Sequence, residues 1–173
     1  DPEVATRLRL LRSHGMTSAS WDRYSGHASS YDVTGLGFNY RMDDIHAALG
    51  LVQLAKLPRN NERRRNHILA YREALSTARG WTVVPAGDYP TAAHLMVALA
   101  PNPMRRDHAR LALHEAGIQT SMHYPSITTF AAFAPDAVPV PQTLAFCSRA
   151  ITLPLYPDLP ADVPTSVATL LAQ

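Results

Sequence analysis

The hydrophobic period changes once along this chain, just after Gly80, and that change limits what the chain can fold into. Before it, apolar residues recur at helical spacing: Val4, Leu8 and Leu11, then Ile45, Leu49 and Val52, then Ile68, Tyr71 and Leu75. After it, short strand-like runs alternate with helical ones. An N-terminal helical portion followed by a small α+β unit is the expected organisation, with the boundary where composition shifts, near 58–80. Length agrees, since 173 residues make one ordinary domain, or one with a partial neighbour.

In finer detail, residues 3–14 form a helix stopped by Gly15. A polar loop follows over 16–34, carrying Trp21, Tyr24 and Tyr31, long enough to suggest a functional role. Asp43 and Asp44 suit a helix start, where carboxylates cap free N–H groups and favour the dipole. Gly50 inside that helix implies close packing against something. Pro58, lacking an N–H donor, is expected to end or kink the helix, with a second one over 60–78. Strands are expected at 81–84, at 93–99 with Ala93, Leu95, Val97 and Leu99 on one face, and at 118–124 with Gln119, Ser121 and His123 on one side. Helices are expected over 105–117, 142–149 and 160–172, the last with Pro164 in its first turn or ending a cap, and 151–157 is a short extended piece.

Several function classes lose support at this stage. A net charge of +2 does not argue for nucleic acid, and "RNNERRR" at 59–65 reads as the wet face of a helix. No apolar run nears the roughly 18 residues of a membrane span. Cys147 is the single cysteine, so no disulfide forms within the chain, and a cytoplasmic setting is expected. The eight histidines show no metal-ligand spacing, and no nucleophile elbow or Gly-rich phosphate loop follows a strand. Of sixteen basic residues only Lys56 is a lysine, which matters for any chemistry that needs an amine.

The stretch "GLGFNYRMDDIHAALG" at 35–50 stands apart. A Gly-x-Gly turn lets backbone approach closely, and the amide of Asn39 and guanidinium of Arg41 are donors suited to phosphate or carboxylate. A turn with a helix-capping Asn fits the same residues.

Taken with its surroundings, "LRLLRSHGM…YDVTGLGFNYRMDDIHAALGLVQLAKL…RR…YREAL" resembles the DegT/DnrJ/StrS family of sugar aminotransferases, fold-type I enzymes that use pyridoxal phosphate. "HLMVAL", "GIQTSMHYP" and "LPLYP" extend the resemblance over essentially the whole chain. It implies an α/β fold, present here as an α+β fragment. Residues 1–57 would be the end of the large cofactor domain, and 58–173 a small C-terminal domain with a short antiparallel sheet flanked by helices. It implies transfer of an amino group from an amino-acid donor to a nucleotide-linked keto-sugar, in a homodimer with shared active sites, with neither nucleic acid nor membrane as partner. Asn39 matches the residue that reaches the cofactor phosphate of the neighbouring subunit. Arg41 would orient that turn or meet an anionic group of the substrate, a salt bridge to Asp43 or Asp44 being equally open. Tyr31, His123 and Tyr124 match segments that approach the substrate; where many members carry a further His, "SITTFAAF" stands instead. Lys56 matches a structural position, so the lysine that binds the cofactor covalently is expected outside this stretch, which alone would be inactive. A sugar dehydratase of the same family, or a non-catalytic sugar-binding or regulatory domain on the same scaffold, are the alternative readings.

Overall fold

Asp1 starts the first helix: its carboxylate accepts the backbone N–H groups of Glu3 at 2.8 Å and Val4 at 3.4 Å. With Pro2 preset for a first turn, α1 runs Pro2–Leu11. It ends where His14 and Gly15 take positive φ, the Gly15 N–H turning back to Leu10 O at 2.9 Å. The computed structural model describes residues 1–17, 30–84 and 91–173, so Trp21 and Tyr24 lie outside the described residues. Two units emerge, Asp1–Ala55 and Lys56–Gln173.

In the first unit, residues 13–17 pair antiparallel with 32–40. His14 N–H donates to Phe38 O at 2.9 Å, Tyr40 N–H to Arg12 O at 2.8 Å, and Thr34 N–H to Gly15 O at 3.0 Å. The unit has almost no interior. Among its described residues only Gly15 is buried, while Val4, Leu8, Ile45, Leu49 and Val52 are all more than half exposed.

The long helix α2 spans Asp44–Leu75 without a break. Pro58 lies inside it, where the sequence suggested an end or a kink, and the helix continues past it. A proline costs about 3 kcal/mol in a helix interior, yet it withdraws a single bond, that to Leu54 O. Leu54, Ala55, Lys56 and Leu57 before it are good helix formers, and the Tyr71 end is fixed by packing, so the helix carries through. Gly50 also differs from expectation: a Cβ there would meet nothing within 4 Å.

The second unit holds the core. A three-stranded antiparallel sheet is formed by β1 (Thr82–Val84), β2 (Met96–Leu99) and β3 (Ala150–Leu153), in that order, with Val83 opposite Ala98 and Ala98 opposite Ile151. Helices α3 (Pro103–Glu115), α4 (Pro141–Arg149) and α5 (Val163–Ala172) accompany it, with short 3-10 turns at Ile127–Thr129 and Ala134–Asp136. Tyr71 and Leu75 of α2, Met96 and Ala98 of β2, Leu113 of α3, Ile151 and Leu153 of β3, and Val167 and Leu171 of α5 form one cluster. Burying a side chain such as Leu113 is worth about 1.5–3 kcal/mol. The C-terminal turn of α5 is tied in twice, since Leu171 O accepts Trp81 Nε1–H at 3.1 Å and Arg105 Nη2–H at 2.9 Å.

Two strand expectations change. In β2 the core row is Met96, Ala98 and then Ala100, the set alternate to Leu95, Val97 and Leu99; Ala93 has φ of 50° and falls outside the strand. Residues 118–124 form no strand, only a bridge at Ser121, whose N–H and O pair with Thr152 at 3.0 and 2.8 Å. Gly117, at positive φ, turns the chain sharply out of α3, with Ile118 N–H on Leu113 O, so only a short piece reaches the β3 edge before Pro125, which has no donor.

Candidate functional site

The Gly-x-Gly turn of the first unit is a backbone interlock. A Cβ on Gly15 would fall 2.2 Å from Gly35 O, and one on Gly37 would fall 2.3 Å from Gly15 N. Gly35 itself has open space where a Cβ would stand; its oxygen is what requires glycine at 15. Leu36 at the tip is 97% exposed. The interlock fixes the backbone two and four residues before Asn39, whose own backbone bridges Ser13.

From that base the Asn39 side chain stands exposed, and its Oδ1 accepts Arg41 Nε–H at 3.3 Å. The amide nitrogen has no hydrogen-bond partner among the described residues, on a residue that is exposed. Phe38 and Tyr40 stack at 5.1 Å, stiffening the segment on either side. Asp43 is engaged with the start of α2: Oδ1 accepts His46 N–H at 2.8 Å, and Oδ2 lies 2.7 Å from His46 Nδ1. These bonds hold the Asp43 carboxyl below the usual range, the backbone N–H of His46 first and its ring second. Tyr31 is about half exposed in the same unit.

The second unit carries a cavity of about 470 Å³. Its polar lining comes from His94, Gln119, Ser121, His123, Thr152 and Tyr156; Leu95, Ile118, Leu153, Pro154, Leu155, Leu159 and Val163 supply apolar walls. Among the described residues, no Lys, Arg, Asp or Glu lines it. His123 Nδ1 sits 3.1 Å from Thr152 Oγ1. The Tyr124 ring meets the His123 ring edge-on, at 5.0 Å and 84°, but Tyr124 is outside the cavity lining and largely exposed.

One wall is held from α2. Arg63, His67 and Tyr71, four residues apart, each bond the 154–158 segment: Arg63 Nη1 to Asp158, His67 Nε2 to Pro157 O at 3.3 Å, and Tyr71 Oη to Pro154 O at 3.0 Å. Spacing of four keeps them on one helix face. Burial drives the Tyr71 phenol above its ordinary pKa, with the Tyr156 phenolate a lesser cause.

The sequence model of the DegT/DnrJ/EryC1/StrS aminotransferase family matches residues 1–172. The chain belongs to that family. Among solved structures, it is similar to Helicobacter pylori PseC, an aminotransferase involved in the biosynthesis of pseudoaminic acid, at 24% identity and a TM-score of 0.85, over 99% of this chain and 46% of that one. It is similar to the aminotransferase TlmJ from Streptoalloteichus hindustanus, at 26% and 0.84, over 99% of this chain and 44% of that one. For S. venezuelae DesV, solved in complex with a ketimine intermediate, the values are 29% and 0.82, with 99% and 44% covered. The chain spans less than half the length of these three solved structures.

Within this DegT/DnrJ/EryC1/StrS chain, Asn39 and Arg41 are joined in the first unit, His123 and Tyr124 are adjacent in the second, and Lys56 is exposed on α2. Sequence reasoning passed over His94, Thr152 and Tyr156. Thr152 had a legible signal, as the one hydroxyl in the wholly buried strand "AITL".

Proposed function

We propose that this chain is the C-terminal portion of a pyridoxal-phosphate-dependent aminotransferase that moves an amino group from an amino acid to a nucleotide-linked keto-sugar, in the cytoplasm and as a homodimer. On this reading residues 1–57 complete a large cofactor domain and 58–173 are the small domain. The family match over residues 1–172 carries the reading.

The residues present fit the cofactor. A phosphate oxygen needs donors held in place, and the Asn39 amide is an exposed donor on a turn fixed by the Gly15–Gly37 contact. Arg41 braces the amide oxygen, which leaves the NH₂ group available as a donor. When bound, pyridoxal phosphate supplies the electron sink that makes amino transfer possible. This chain's share is to hold and exclude: Asn39 binds the phosphate across the dimer, Tyr31 and Arg41 border the substrate, and His123 and Tyr124 meet the sugar.

Asn39→Ala is expected to weaken cofactor affinity roughly ten- to a hundredfold, the worth of one hydrogen bond to a charged group. Mixed dimers test the geometry. One subunit carries Asn39→Ala and the other lacks the lysine that holds the cofactor. Action across the interface leaves one intact site and half the activity. Activity no better than either homodimer overturns the assignment.

A further inference from the structure

We infer that Thr152 is a positioning residue for His123, fixing the imidazole as the Nε2–H tautomer so that the ring serves as a hydrogen-bond donor at the cavity it lines. The inference rests on the reading of His123 as a substrate contact for its functional half; the tautomer half stands on geometry alone. Thr152 is only 6% exposed, on a strand whose other three residues are buried and apolar. Its backbone N–H and O both pair with Ser121, at 2.8 and 3.0 Å, which sets the chain two residues before His123. Its hydroxyl then meets His123 Nδ1 at 3.1 Å, so one residue grips the segment at three points.

The direction of that last bond follows from satisfaction of buried groups. Among the described residues, Nδ1 is the one side-chain or backbone partner of the Thr152 hydroxyl. Were Nδ1 protonated and donating, the hydroxyl hydrogen would have no protein acceptor among the described residues, a poor arrangement at a residue only 6% exposed. The hydroxyl therefore donates to Nδ1, and the proton of the neutral ring resides on Nε2. With no charged side chain among the described lining residues, such a donor suits a carbonyl or hydroxyl oxygen of an uncharged ring rather than a phosphate.

The test uses the intact protein labelled with ¹⁵N-histidine, with the His123 resonances assigned by their loss in His123→Gln. Expected is an unprotonated Nδ1 and a protonated Nε2 in the wild type. The Nδ1 resonance shifts in Thr152→Val, which keeps shape but lacks the hydroxyl, and is restored in Thr152→Ser. A protonated Nδ1 in the wild type, or an Nδ1 resonance that Thr152→Val leaves in place, overturns the inference. Kinetics with a nucleoside-diphosphate-linked keto-hexose provide the functional arm. Thr152→Val should raise KM about five- to tenfold with kcat held, as for one modest hydrogen bond, and Thr152→Ser should recover it. KM unchanged in Thr152→Val but raised in His123→Gln overturns the positioning role. KM unchanged in both overturns the substrate reading, and the Nδ1 resonance then decides the tautomer by itself.

Discussion

Tyr71, wholly buried near the end of α2, donates its phenol hydrogen to Pro154 O at 3.0 Å, joining the long helix to a wall of the cavity. Removing that hydroxyl leaves a carbonyl without its donor, so Tyr71→Phe should cost about 1–3 kcal/mol. The pH dependence is specific. The folded-state pKa is raised above the ordinary phenol value near 10, so the unfolded chain ionises first and stability falls as pH climbs past that value. The stability gap between wild type and Tyr71→Phe should narrow in that window and stay constant below it. Denaturant unfolding at neutral and alkaline pH measures both.

Gly37→Ala should disrupt the first unit, because its new methyl would sit 2.3 Å from the Gly15 backbone nitrogen. Gly50→Ala serves as contrast: a Cβ there meets nothing in the chain, and an exposed helical Gly replaced by Ala gains up to about 1 kcal/mol. Amide hydrogen exchange across 13–16 and 33–39 should accelerate in Gly37→Ala and remain unchanged in Gly50→Ala. Equal protection in both would contradict the interlock.

The Asp43 cap gives an acid-limb prediction. Its folded pKa is lowered by the N–H of His46, so its contribution is present above the ordinary carboxylate range and lost as pH falls through the lowered value. Asp43→Asn can still accept from His46 N–H and should hold the first turn of α2 down to lower pH than the wild type, whereas Asp43→Ala should fray it at every pH. Exchange of the His46 and Ala47 amides against pH distinguishes the three.

A surface on which Leu8, Ile45, Leu49 and Val52 are all exposed does not stay single in water. The 173-residue chain should self-associate, and replacing Ile45 and Leu49 by Asn should shift it toward monomer in sedimentation experiments. A monodisperse wild-type monomer with cooperative unfolding would argue against this.

How much of this was legible beforehand depended on whether the cause was local. Asp43 before an apolar repeat, Gly117 after a helix and Pro164 in a first turn are local signals, and each marks an element end in the structure. Pro58 does not end the helix, because a breaker's cost is local while the helix it sits in is held at a distance, at Tyr71 and Leu75. Leu95, Val97 and Leu99 share one side of the 95–99 run, but the buried side is the alternate one, Met96 and Ala98 with Ala100, and a period of two does not say which side faces the core. In the candidate site, "GFNYRM" was readable as a motif, but the partnership of His123 with Thr152 joins residues 29 apart and needed coordinates.

The contact of Gly15 with Gly35 and Gly37 also bears on how such a chain can change over generations. Where two side chains pack, volume lost at one position can be regained at its neighbour, so paired replacements drift together. Between Gly15 and Gly37 there is no side-chain volume to exchange, and enlarging either residue aggravates what enlarging the other does. No second change nearby restores the first, so these positions should tolerate no compensating pair, and Asn39 should keep the same perch for as long as the turn survives at all.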